Sequence, residues 1–126
     1  MKNIDGIITR GLGEGTFFMS MQRYQKGIRK KLGFIAYPGT LNIKVSKKQK
    51  ASLNNLKKIL IEGFKQGDKT FGGIDCYRAR IKNIKGAIII PHMTRHKDVI
   101  EFIAPVHAKT KLKLKDGNKI KVEINE

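Results

Sequence analysis

The chain has one cysteine, Cys76, so it can form no internal disulfide framework. A zinc site would have to recruit the scattered His92, His96 and His107. No apolar run approaches the ~18–20 residues of a membrane helix, and the longest, residues 87–90, is strand-sized. The opening stretch MKNIDGIITRGLGEG carries an early lysine but no apolar core of a secretory signal. These absences lead us to expect a cytoplasmic chain with no membrane partner. Proline is scarce as well: Pro38, Pro91 and Pro105 are the only three, and each falls where a turn or strand end is expected.

Acidic residues are the most conspicuous shortage. Ten stand against 27 lysines and arginines, giving a formal net charge of +17 and calling for an anionic partner, either a phosphorylated ligand or a nucleic acid. The basic clusters at 29–31, 47–50 and 109–121 alternate with apolar residues, as solvated strand and helix surfaces do. No aromatics are interleaved with them in the manner of single-strand binders. Nucleic acid is therefore set aside as the main partner, although a basic β-barrel that binds it remains the alternative reading.

What is present is the composition of a globular domain: 40% hydrophobic and 29% charged residues over 126 positions. We expect one domain over residues 1–126, with no room for a second. Residues 4–9 read as a strand running into Gly11-Leu12-Gly13-Glu14-Gly15. Ser20 reads as the N-cap of a helix over 21–32, in which Tyr24, Ile28 and Leu32 share a face and Gly33 ends the run. Gly27 inside that helix costs about 1 kcal/mol. Residues 40–45 alternate strictly as a half-buried strand, and 47–58 form a short helix or loop. Strands follow over 59–64 and 70–81 around a Gln66-Gly67-Asp68 turn, then over 86–90 and 99–104. A final hairpin is expected to pair Leu112 and Leu114 with Ile120, Val122 and Ile124 around Asp116-Gly117. Many short strands without βαβ spacing indicate a closed, mainly β barrel.

Three groups of residues carry chemistry. The alternate glycines of Gly11, Leu12, Gly13, Glu14, Gly15 and Thr16 allow backbone N–H groups to approach an anion, and equally serve a tight turn. Thr40 and Asn42 lie two apart in a strand, so a hydroxyl and an amide oxygen share a face while Leu41 and Ile43 turn to the core. Paired neutral oxygens of this kind can seat Mg²⁺ beside a phosphate. Glu101 sits in an apolar strand in parity with Val99 and Ile103. A carboxylate so placed can accept a proton from a substrate hydroxyl, helped by burial that raises its pKa.

In order along the chain, GLGEGxxFxS, LGFxxYPGTLNxKV, FGG, AxIIxPxxTxH, EFIAP and LKLKDG resemble the archaeal CTP-dependent riboflavin kinases over nearly the whole sequence. The resemblance implies a six-stranded cradle-loop barrel with one or two short helices; separately, we expect a monomer. It implies the reaction of CTP with riboflavin to give CDP and FMN, with Mg²⁺ as cofactor. By the same resemblance, Gly11 through Thr16 form the nucleotide phosphate cradle, and Val106, His107, Ala108 and Lys109 a second nucleotide contact. Thr40 and Asn42 match the metal ligands, while Thr94 and Glu101 match flavin-binding positions, with Glu101 the candidate base. A flavin- or nucleotide-binding domain without catalysis is the remaining alternative. Some members carry an amino-terminal winged-helix domain, for which this chain has no room. The sequence departs from the family pattern at Thr16, where arginine is frequent, and at Ala108-Lys109, where Leu-Arg is usual. A lysine keeps the charge there without the bidentate fork.

Overall fold

The computed structural model describes residues 2–11, 21–93 and 98–125. Among these residues, nine strands and three short helices follow in the order β1 (Lys2–Thr9), α1 (Gln22–Leu32), β2 (Leu41–Lys44), α2 (Lys47–Ser52) with a 3₁₀ turn (Leu53–Asn55), β3 (Ile59–Ile61), β4 (Phe64–Gln66), β5 (Lys69–Phe71), β6 (Ile74–Ile81), β7 (Ile84–Pro91), β8 (Val99–Ile103), α3 (Ala108–Lys111) and β9 (Lys119–Ile124).

Six strands close on themselves, all antiparallel, in the order β6-β7-β8-β2-β1-β9. Closure comes from Ala79↔Ile124 and Arg80↔Glu123 between β6 and β9. A closed barrel leaves few free edges, which removes a common route to aggregation. The expected six-stranded barrel is thus present. Period-two alternation drives it: Ile4, Ile8, Leu41, Ile43, Ile100, Phe102, Val122 and Ile124 all turn inward and are buried, and Leu53 joins them from the 3₁₀ turn.

A second apolar layer covers part of the outside. Tyr24, Ile28 and Leu32 of α1 pack on Ile61, Ile74, Cys76, Ala87, Ile89 and Ile103. The helix ends at Gly33 with φ +88°, its N–H bonded to the carbonyls of Ile28 and Arg29, and Arg78 donates to those of Lys31 and Leu32. The N-cap position falls on Met21, not on the expected Ser20. Gly27, a cost by propensity, has a packing reason: a Cβ there would crowd the Ile61 side chain at 2.9 Å.

Two expectations need correction. The 59–64 and 70–81 arms are each divided. Ile59–Ile61 pair with β6 in the barrel sheet, whereas β4 and β5 form their own two-stranded sheet around Gly67 at φ +64°. The backbone at Gly63 passes too close to Phe71, Gly72 and Gly73 for any side chain, which marks the break. The final hairpin also lacks its first arm. Leu112 and Leu114 donate their N–H groups back to Ala108 and Lys109, continuing the α3 turn, and β9 instead fills its edges with β1 and β6. The Asp116-Gly117 turn itself is real, with Gly117 at φ +91° and bonded to the carbonyl of Ile8.

Candidate active site

Strand register aligns the candidate residues. Asn42 of β2 lies opposite Thr9 of β1 on one side and Glu101 of β8 on the other. Since Leu41, Ile43, Ile100 and Phe102 point into the barrel, Asn42 and Glu101 project from its outer face. The apolar parity of Glu101 therefore has a different meaning from that expected. Ile103, two residues on, belongs to the outer layer beneath α1, and Glu101 sits at the margin of that layer, 9% exposed.

Thr40, just before β2, donates its hydroxyl to Glu101 Oε1 at 3.0 Å. Gly11, the first residue of the glycine stretch, lies against Asn42 so closely that a Cβ would overlap the carboxamide. Gly11, Thr40, Asn42 and Glu101 thus form one cluster where β1 ends and β2 begins. A half-buried cation accompanies them: burial pushes the pKa of Lys50 on α2 down, and the carboxylates of Asp98 and Glu101 partly offset this.

The segment expected to be a second nucleotide contact borders the same cluster. Gly39, Thr40 and Leu41 line a narrow cleft with Val106, His107, Ala108 and Lys109. Val106 and His107 are exposed, while Ala108 is buried. Tyr37 N–H donates to the Ala104 carbonyl at 2.8 Å, and its ring stacks on His107 with centroids 4.8 Å apart. Lys109 donates to Asp116 Oδ1 at 2.8 Å, and Asp116 also faces Arg10 at 3.9 Å. The hydrogen bond from Lys109, with the charges of Lys109 and Arg10, holds the exposed Asp116 carboxyl below its ordinary pKa. A charged link therefore joins α3 to the root of the glycine stretch.

Leu12, Gly13, Glu14, Gly15, Thr16 and Thr94 lie outside the described residues. Arg10, Tyr37 and Asp116 were not anticipated. Asp116 reads in the sequence only as a turn former, and nothing in the spacing of Arg10 and Lys109 announces that they share it. As a metal seat, Thr40 and Asn42 offer two neutral hard oxygens, a set that suits Mg²⁺ completed by phosphate and water. No cluster of three His, Cys, Asp or Glu occurs among the described residues.

Comparison with known proteins shows which family the chain is similar to. The family model named for CTP-dependent riboflavin kinases, described as "Domain of unknown function DUF120", matches residues 8–124. Similar proteins include a "Riboflavin kinase" of Pyrobaculum islandicum, 46% identical over 96% of this chain and 59% of the relative. Another is a "Riboflavin kinase" of Archaeoglobus fulgidus, 42% identical over 96% of this chain and 54% of the relative. That of Methanosarcina acetivorans is 38% identical over 98% of this chain and 54% of the relative. The chain thus spans a little over half the length of these relatives. Because the match runs from the last residues of β1 to the end of β9, the chain belongs to the CTP-dependent riboflavin kinase family.

Proposed function

We propose that this domain transfers the γ-phosphoryl group of CTP to the ribityl 5′-hydroxyl of riboflavin, giving CDP and FMN. The observation that carries the reading is the convergence of Gly11, Thr40, Asn42 and Glu101 on one outer patch of the barrel. Residues 11–16 cradle the phosphates through backbone N–H groups, and Val106, His107, Ala108 and Lys109 hold the nucleotide from the other side. Thr94 and Glu101 orient the flavin. Thr40 and Asn42 would hold Mg²⁺, which when bound supplies positive charge against the phosphate oxygens.

Phosphoryl transfer depends chiefly on positioning and on stabilising charge. Glu101 accepts the proton of the 5′-hydroxyl as that oxygen bonds to the γ-phosphorus. The bond between the γ-phosphorus and the β–γ bridging oxygen breaks, and CDP leaves with the electron pair. The Thr40 hydroxyl, bonded to Glu101 Oε1, fixes the carboxylate in place. Lys50, close enough to feel the Glu101 charge, adds positive potential at the same face.

The test is chromatographic detection of FMN from riboflavin with CTP, and separately ATP, in the presence of Mg²⁺ or of a chelator. FMN with CTP, lost on chelation, is the expected result. Preference for ATP would refute the nucleotide assignment, and no FMN with any nucleoside triphosphate would refute the kinase.

A further inference from the structure

The turn between α3 and β9 carries more polar equipment than a turn needs. Its backbone is fastened to β1 twice: Gly117 N–H donates to the Ile8 carbonyl at 2.7 Å, and the Asn118 carbonyl accepts from Ile8 N–H at 2.8 Å. Asn118 closes the turn on itself. Its Oδ1 accepts from Lys115 N–H at 2.8 Å, and its N–H donates to the Lys115 carbonyl at 3.0 Å. Gly117, at φ +91°, supplies the left-handed residue. None of these contacts uses the Asp116 side chain, so forming the turn does not account for where that carboxylate points.

The carboxylate reaches two cations. Oδ1 accepts from Lys109 Nζ at 2.8 Å, and Oδ2 lies 3.9 Å from Arg10 Nε. Arg10 and Asp116 are exposed and Lys109 is half-buried, and ion pairs this accessible contribute little to stability. Their use lies in where the cations sit. Arg10 directly precedes Gly11, and Lys109 lines the narrow cleft it shares with Gly39, Thr40 and Val106. The root of Lys109 is already fixed, since its carbonyl accepts from Leu114 N–H at 2.8 Å. Asp116 restrains the freedom that is left, that of the side chain.

We infer that Asp116 is a positioning residue for the nucleoside triphosphate, holding Lys109 beside the Thr40 cleft before the phosphates arrive; this rests on the nucleotide placement proposed above. A lysine gives up much rotamer freedom when it grips a phosphate, and one already held gives up less. Its ammonium has three donors, so the bond to Asp116 leaves two for phosphate oxygens. Asp116 also repels the incoming phosphates. At this exposed position water and salt screen that repulsion, whereas the ordering of the side chain is not screened.

Asp116→Asn keeps a turn-forming residue of the same shape and removes the charge. In initial-rate measurements of FMN formation, KM for CTP is expected to rise roughly three- to tenfold, with kcat, KM for riboflavin and the thermal midpoint unchanged. The decisive arm is a double-mutant cycle. In a Lys109→Met background, which has no ammonium to position, adding Asp116→Asn is expected to change KM for CTP by less than about twofold. A full additional rise there would overturn the inference. So would a KM for CTP lowered by Asp116→Asn alone, or an equal rise in KM for riboflavin. If Asp116→Asn melts early, Asp116→Ser, also a turn former, carries the same cycle. If no nucleotide yields FMN, the kinase reading falls by itself, and the cycle is read by calorimetric titration with inorganic tripolyphosphate. Loss of affinity that vanishes in the Lys109→Met background then supports the positioning role, and additive or absent loss overturns it.

Discussion

At the scale of single residues, Glu101 and Gly11 make separable demands. Glu101 is 9% exposed, accepts from Thr40 and is aligned with Asn42, a position in which a carboxylate can take a proton from a bound hydroxyl. Glu101→Gln keeps the shape and one acceptor oxygen but removes the base. Turnover is expected to fall by about 10²–10⁴, while riboflavin binding, followed by quenching of flavin fluorescence, is retained. Normal turnover in this variant would strip Glu101 of the role. Gly11 acts by having no side chain. A methyl group there overlaps the Asn42 carboxamide, which must swing away from its place beside Thr40. In Gly11→Ala the Mg²⁺ concentration for half-maximal turnover is expected to rise at least tenfold, with a thermal midpoint close to that of the parent. A large fall in that midpoint, with unchanged Mg²⁺ dependence, would make Gly11 a folding residue only.

At the scale of elements, the barrel wall shows which contacts tolerate no addition. A Cβ on Gly86 of β7 would run into the carbonyl oxygen of Ile103 and the Phe102 ring. Backbone cannot rotate aside, so Gly86→Ala must pry β7 from β8 and is expected to cost about 1–3 kcal/mol, measured as a lower urea midpoint at unchanged slope. A cost under a few tenths of a kcal/mol would show the wall to be softer than its register implies. Such elements were readable from the sequence wherever one face is buried and one wet. Residues 41–44 alternate because β2 has the barrel on one side, and Tyr24, Ile28 and Leu32 recur because α1 lies on a sheet. The same logic failed at Leu112 and Leu114, whose alternation mimics a strand although β1 and β6 already occupy the edges of β9. Local pattern does not reveal an edge already taken. The candidate site was partly legible for the same reason: the shared face of Thr40 and Asn42 follows from strand geometry, and their closeness to Gly11 and Glu101 came only through family resemblance. Arg10, Lys109 and Asp116 meet across more than a hundred residues of chain, and no local pattern encodes that link.

At the scale of the whole molecule, Cys76 provides a built-in reporter of the folded state. Its side chain lies beneath α1 with no exposed surface, and burial, reinforced by the Asp75 charge, pushes its thiol pKa up to about 12. Reaction with a disulfide reagent requires thiolate and access, so near pH 8 the native protein is expected to label only through opening of the α1 layer or global unfolding. Labelling should accelerate steeply with urea, and prompt stoichiometric labelling in its absence would refute the burial. The same thiol measures ligands, because any molecule that binds only the folded state suppresses opening by RT ln(1 + [L]/Kd), about 2.7 kcal/mol at a hundredfold excess over Kd. CTP with Mg²⁺ is expected to slow labelling by up to about a hundredfold under those conditions, and ATP by much less, provided the opening that exposes Cys76 also disrupts the site. Strand register couples the two, since Cys76 pairs with Ile89 and Ile89 with Glu101 across adjacent strands. Equal protection by CTP and ATP would leave the barrel fold intact and remove the nucleotide preference from it.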